Sequence, residues 1–318
     1  MTDLASREAY RDRLLELMLD DPRVVCVDTD TGLFAGSDFR TASSRYIDVG
    51  IAEHTAMGVS AALAAAGYLP FVNTMAAFAS TRAVEAVKLD IAQNRLPVRI
   101  MATHGGVSAG HLGPTHYALE DLAVMRALTS MTVVVPADAN GTVSVVEQAA
   151  EITGPMYVRL GRKPTPSLPG DPGPARIGQI QPLRDGTEVL IVCCGPHPVL
   201  FSLAAADELG AGGIQAGVLN AHTLKPFDEA TLLARAEPAR LVVAVEEHRE
   251  FGGLGGAVAE VLAEHLPRRL LRVALPDAFE PASGSPDHIL RRHGLDPSEI
   301  VAKIRAALET DLPVRSAS

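Results

Sequence analysis

The residues in this chain whose type and setting could do chemistry fall mainly in three stretches. The first is Asp48-Val49-Gly50-Ile51-Ala52-Glu53-His54, where a strand ends, Gly50 permits a tight turn and Glu53 opens an apolar helix. An acid in the first turn of a helix is favoured by the helix dipole. A carboxylate at a strand-to-helix junction also stands where α/β proteins place ligands, outside the carboxyl ends of strands. Residue type alone leaves both readings open. The second stretch is the loop from His104 to His116, which holds His104, His111 and His116 among four glycines. Glycines let backbone approach a ligand closely, and imidazoles donate to phosphate or move protons near neutral pH. The spacing matches no familiar metal-ligand motif. The third is Arg159-Leu160-Gly161-Arg162. A guanidinium fork suits phosphate, although an arginine beside a linker is as readily a solvated one. Phe251-Gly252-Gly253-Leu254-Gly255-Gly256 lacks the spacing of a dinucleotide fingerprint and reads as close helix packing.

The elements that must position these residues alternate between strand and helix. Ser6 is placed to cap a helix running to Asp20, and Val24–Asp28 reads as a buried strand. Helices are expected over Glu53–Ala66 and Thr81–Asn94, with strands over Leu69–Thr74, Val98–Thr103, Thr132–Val135 and Met156–Arg159. Such alternation predicts an α/β fold with a mostly parallel sheet covered on both faces. Proline and glycine cluster from Gly161 to Pro174, and a second, smaller α/β block comes after them. The expected organisation is a first domain over 1–165, a linker over 166–176 and a second domain over 177–318. A length of 318 residues suits two domains of roughly 100–200 residues each.

Composition narrows the function. The net charge of -10 leaves no basic surplus for nucleic acid. No apolar run reaches the ~18 residues of a membrane span, and the first residues do not resemble a secretory signal. Three cysteines without a CxxC suggest a reducing, cytoplasmic setting.

Taken in order, the motifs resemble the C-terminal two-thirds of transketolase. Gly50-Ile51-Ala52-Glu53-His54 is similar to the family segment carrying the catalytic glutamate, and Asn73–Ala79 to its aromatic pyrimidine clamp. Ala102-Thr103-His104-Gly105 and Gly113-Pro114-Thr115-His116 resemble its substrate loop. Pro136-Ala137-Asp138 and Leu160-Gly161-Arg162 resemble the end of its middle domain. Glu246-Glu247-His248-Arg249 with Gly252-Gly253-Leu254-Gly255 resembles its C-terminal domain. The resemblance runs from about Val24 to Ala307. It implies a pyrimidine-binding domain of parallel-sheet sandwich type, followed by the smaller transketolase C-terminal domain.

The same resemblance implies a cofactor, a reaction and roles for named residues. The cofactor would be thiamine diphosphate with Mg²⁺, and the reaction would move a two-carbon ketol unit from a ketose to an aldehyde. Glu53 would hydrogen-bond the pyrimidine N1′ and promote the tautomer that activates the thiazolium. Phe78 would stack on the pyrimidine, with Met75 where a second aromatic is usual. Ile51 would line the ring and Asp30 would stand near the cofactor. His104 and Arg162 match positions that hold substrate phosphate, and His116 a position near the reacting hydroxyls. The family carries an acidic pair where this chain has His111-Leu112. The missing acid normally contacts a donor hydroxyl, so the donor is expected to differ near the reacting carbons. The family's Gly-Asp-Gly signature for diphosphate and Mg²⁺ is absent from the sequence. An N-terminal transketolase subunit carrying the diphosphate-binding domain is therefore the expected partner, ligating Mg²⁺. A homodimeric core giving α2β2 is the expected assembly, with no metal site in this chain. Sugars are the expected substrates. The alternatives are 1-deoxyxylulose-5-phosphate synthase-like chemistry or a 2-oxoacid dehydrogenase E1 beta-type subunit, which share the architecture and the glutamate.

Overall fold

Successive strand residues point to opposite faces, so a strand apolar at every position must be covered on both sides. Val24–Val27 behaves this way: Val24 and Cys26 join one core, Val25 and Val27 another. The same division separates Val189, Ile191 and Cys193 from Leu190, Val192 and Cys194 in the second domain. The result is two layered α/β units. The computed structural model describes residues 4–34, 39, 43–170 and 172–310.

The strands are β1 (Leu4–Ala5), β2 (Val24–Asp28), β3 (Tyr46–Asp48), β4 (Leu69–Met75), β5 (Arg99–Thr103), β6 (Thr132–Val134) and β7 (Met156–Arg159), followed by β8 (Pro164–Thr165), β9 (Gln181–Arg184), β10 (Val189–Cys194), β11 (Ala216–Asn220), β12 (Thr223–Lys225), β13 (Leu241–Arg249) and β14 (Leu270–Leu275). Among the described residues they form three sheets. The first runs β12-β6-β7-β5-β4-β2-β3, the second β14-β13-β10-β11-β9, and β1 pairs with β8. All pairs in the first sheet are parallel except β12 with β6. Only β9 runs antiparallel in the second.

Helices Ser6–Asp20 and Ala139–Ala149 cover one face of the first sheet through Tyr10, Leu14, Met18, Val145 and Val146. Helix Glu53–Ala65 covers the other through Ala56, Met57 and Ala61. The latter core continues through Val135 and Tyr157 into Leu190, Val192, Leu254 and Val258, so one apolar cluster spans both domains. Among the described residues no helix is long and apolar enough to cross a membrane.

Several expectations change in detail. Ala5, not Ser6, occupies the N-cap position of the first helix and offers no side-chain cap; Ser6 is the first helical residue, and its hydroxyl is buried without a partner. The segment expected as one helix over Thr81–Asn94 is instead a short α-turn, Val84–Ala86, running into a π-helical stretch, Val87–Ala92. The proline- and glycine-rich stretch from Gly161 is fixed near its start, since Pro164 and Thr165 pair with Ala5 and Leu4. Strand β12 leaves the second domain's chain to become the edge strand of the first sheet. Three residues are too short for a period-two pattern to announce them.

Candidate functional site

Parallel β-strands deliver their following loops to one end of the sheet, and crevices form there. Neighbouring strands β3, β2 and β4 do this here. After β2, Asp28 accepts from Thr31 Oγ1 at 2.7 Å and from Tyr46 Oη at 3.0 Å. Burial pushes the Asp28 carboxyl up, opposed by those two donors. Asp30 takes a left-handed backbone, with φ 55°. Its N–H donates to Asp48 Oδ1 at 3.2 Å, and Gly50 N–H donates to the same oxygen at 2.9 Å. One carboxylate thus ties the loop after β2 to the turn that launches the Glu53 helix. After β4 the chain coils at once into Ala76–Ala79, which presents Met75 and Phe78.

These loops enclose a cleft of about 360 Å³ lined by Asp30, Ile51, Glu53, Met75, Phe78 and His116, with Thr29, Thr31, Thr74, Thr115 and Arg82. Glu53 is 5% exposed and Ile51 is 73% exposed, so a buried carboxylate shares the cleft with an uncovered apolar side chain. The Thr74 hydroxyl is buried with no partner. His116 meets Phe78 edge to face, ring centroids 5.2 Å apart. Arg82 lies over the Phe78 ring, with its guanidinium carbon 4.2 Å from the centroid and Nη1 3.5 Å from Glu53 Oε1.

Other residues singled out in the sequence lie outside that lining. His104 follows β5 in a left-handed conformation, buried, with Nδ1 2.9 Å from Thr103 Oγ1. Burial, with Arg162, Arg7 and His116 nearby, pulls its pKa down to about 3. Its imidazole is therefore neutral at pH 7, and positive charge in this region comes from arginine. Arg162 donates to the Ala109 carbonyl at 3.2 Å. His111 and Leu112 lie on an exposed turn, Gly110–Leu112, with Leu112 43% exposed. Arg159 is not a surface arginine: it is buried, donates to the Glu247 carbonyl at 2.8 Å and pairs with Asp121 at 3.1 Å.

Two residues escaped the sequence reading. Arg82 lies four residues after Phe78, in the turn beyond the Ala76–Ala79 helix, so no helical spacing announced their contact. Arg7 carried no signal, because a charged residue at a helix start usually faces solvent. Here Arg7 Nε is buried without a hydrogen-bond partner, and burial lowers the guanidinium pKa, opposed by Glu8 and reinforced by Arg162. Among the described residues no carboxylate forms an ion pair with Arg7 or Arg162. Two arginines without ion-pair partners, with Glu8 only partly offsetting the charge of Arg7, stand beside a neutral buried histidine and an orphaned N–H, a setting for an anion.

Comparison with known proteins gives the class first. Residues 2–167 match the transketolase pyrimidine-binding domain and residues 178–300 the transketolase C-terminal domain. The chain belongs to the transketolase family and is a subunit of a transketolase-type transferase. It is 39% identical to the 6-deoxy-6-sulfo-D-fructose transketolase subunit SqwH of Clostridium sp. (strain MSTE9), over 95% of this chain and 93% of that one. It is 37% identical to an apulose-4-phosphate transketolase subunit of Phocaeicola vulgatus, over 92% of this chain and 94% of that one. A solved split-gene transketolase, described as an inactive β4 tetramer, superposes with a TM-score of 0.87 at 40% identity, covering 96% of this chain and 99% of that one. The 1-deoxy-D-xylulose-5-phosphate synthase of Syntrophotalea carbinolica is 34% identical, but this chain covers only 46% of it.

Proposed function

We propose that this subunit holds the aminopyrimidine of thiamine diphosphate and, with a partner subunit, transfers a two-carbon ketol unit from an anionic ketose to an aldehyde. The observation that carries this reading is the buried Glu53 carboxylate sharing one cleft with the Phe78 ring, at the carboxyl ends of three adjacent parallel strands. Once Arg82 moves off Phe78, the cleft suits a flat heteroaromatic ring: Phe78, Met75 and Ile51 offer apolar surface, while Glu53 and the orphaned Thr74 hydroxyl offer polar contacts. When bound, the cofactor supplies a thiazolium that serves as electron sink for carbon–carbon cleavage.

The residues of this chain divide the remaining work. Glu53 holds a proton against a ring nitrogen of the pyrimidine. Phe78 and Met75 orient the ring, and Asp30 flanks it. His116, against Phe78, is placed to donate to or accept from hydroxyls of the sugar. Arg7 and Arg162 provide charge for the anionic end of the substrate, and neutral His104 provides a directed N–H. Leu112 offers no acceptor to a donor hydroxyl, which supports a donor differing from the usual ketose phosphates.

A partner carrying the diphosphate- and Mg²⁺-binding domain completes the site in this reading, around a homodimeric core of α2β2 type. The exposure of Ile51 supports it, because an apolar wall of a reactive cleft needs a cover against water. The three buried, unpaired cysteines support a cytoplasmic setting. The test is Glu53→Gln in the reconstituted complex. It should keep cofactor affinity and lower ketol transfer about 10²–10⁴-fold, since an amide cannot exchange that proton. Near-normal turnover would sink the assignment, and release of CO₂ from pyruvate would favour synthase-like chemistry.

A further inference from the structure

The loop from His104 to Tyr117 carries three histidines, yet its neck is held from outside the first domain. Glu247, near the end of β13, reaches across: its Oε1 accepts the Val107 N–H at 2.7 Å. Its main-chain carbonyl accepts from Arg159 Nη1 at 2.8 Å, and Arg159 Nη2 donates to the Ala118 carbonyl at the far side of the neck. Arg159 is fixed in turn by Asp121, whose Oδ2 also accepts from Tyr157 Oη at 2.6 Å. The two strands of the neck meet at a bridge between Gly106 and Ala118. A side chain at Gly106 would collide with the Glu247 carboxylate, and one at Gly105 with the Arg159 side chain. The two glycines therefore admit these two clamps, which accounts for a feature the sequence offered only as possible ligand approach.

The second carboxylate oxygen of Glu247 has its own support. His197, at the start of helix Pro196–Ala211, places Nδ1 3.5 Å from Glu247 Oε2 and Nε2 3.5 Å from Asp287 Oδ1. Arg159, Arg162, Lys163 and the Cys194 thiol line the same small cavity, and the Phe201 ring lies 5.8 Å from the imidazole. Burial lowers the His197 pKa, but the two carboxylates outweigh it and the net shift is upward.

We propose that Glu247 is a positioning residue: from the second domain it fixes the neck of the His104–Tyr117 loop, so that His104 and His116 are held for the substrate, and His197 steadies its carboxylate. The inference rests on the reading of that loop as a substrate loop. It assigns no chemical step to Glu247, which lies outside the lining of the cleft that holds Glu53 and Phe78.

Two readouts test it. In the full-length chain, amide hydrogen exchange of peptides spanning 105–118 should quicken about ten- to a hundredfold in Glu247→Ala, because a buried N–H loses a charged acceptor. Peptides over β5 should not change. Glu247→Gln keeps an oxygen for the Val107 N–H and should stay near wild type. In the reconstituted complex, Glu247→Ala should raise KM for the ketose by a similar factor while leaving deuterium exchange at thiamine C2, which reports on Glu53, within about twofold. Should the alanine variant fail to fold, His197→Ala should still quicken the same peptides about two- to fivefold. Unchanged loop exchange in whichever of the two variants folds overturns the proposal, as does a glutamine variant as loose as alanine. If the wild-type complex transfers no ketol unit, the functional reading fails while the exchange result still judges the clamp.

Discussion

Arg82 stands over the face of Phe78 on which the proposed pyrimidine would stack. Its guanidinium carbon is 4.2 Å from the centre of the Phe78 ring, and its Nη1 is 3.5 Å from Glu53 Oε1. A pyrimidine stacking on that face of Phe78 must displace it. The side chain is 56% exposed, so its pairing with Glu53 is screened by solvent and worth about 0–1 kcal/mol. A cation over an aromatic face at an exposed site adds about 0.5–1 kcal/mol. Displacement thus costs about 0.5–2 kcal/mol, and Arg82→Ala should tighten thiamine diphosphate about two- to thirtyfold. Arg82→Lys, which keeps the charge without the flat fork, should fall between. The assay is calorimetric or fluorescence titration of the cofactor into the reconstituted complex at low and high salt. The ionic part of the gain should shrink at high salt and the stacking part should persist. Weaker binding by Arg82→Ala would refute the reasoning, because it would make Arg82 a cofactor contact. An unchanged affinity would mean that the ring does not use that face of Phe78.

Other expectations concern the anion group. Arg7→Ala and Arg162→Ala should each raise KM for an anionic ketose about ten- to a hundredfold, from loss of a charge-assisted bond of roughly 1.5–3 kcal/mol. Each should have a much smaller effect on the uncharged analogue, and equal effects on both would remove these arginines from substrate recognition. His104 also gives a pH dependence. Its folded pKa of about 3 lies below the ordinary 6.5, so on acidification the unfolded chain takes the proton first. Stability present above about pH 6.5 is therefore lost progressively as the pH falls towards 3. From pH 6.5 to 4.5 the loss is about 2 kcal/mol, and it should be missing from His104→Asn in paired denaturant titrations. An identical slope in the variant would refute the neutral, buried histidine. His222, pulled down to about 4 by burial, adds a similar dependence that remains in both proteins.

The parts of this molecule legible in its sequence are those with a repeating physical signal. β2 and β10 are apolar at successive positions because both faces are covered, and a helix follows Glu53 because small apolar residues recur along it. What escaped detection depends on partners distant in sequence. Strand β12 owes its existence to the free edge of β6. The Glu246-Glu247 pair reads as one acidic spot, yet the two side chains diverge. Glu246 accepts the Leu254 and Gly255 N–H groups, at 2.6 and 2.8 Å, and so caps the helix after the glycine run. Glu247 turns to the other domain. No local pattern distinguishes them, because neighbouring residues of a strand face opposite ways and the difference lies in what each face meets.

Distant partners likewise bring Arg7 into a group whose other members lie about a hundred residues or more away in sequence. His104 and Arg162 follow β5 and β7, which are adjacent and parallel, with Ala102 opposite Arg159; their following residues must emerge at the same end of the sheet. Arg7 arrives differently. Leu4 pairs with Thr165 and Ala5 with Pro164, and the Arg7 N–H donates to the Gly161 carbonyl at 3.3 Å. A two-residue strand therefore fixes where the first helix begins, and with it where the Arg7 guanidinium lies relative to Arg162. The proline-rich segment that reads as a tether in the sequence is part of the frame that sets this charge. Shortening or loosening it should affect recognition of an anionic substrate before it affects Glu53, whose helix packs on β4, β2 and the Val84–Ala92 segment.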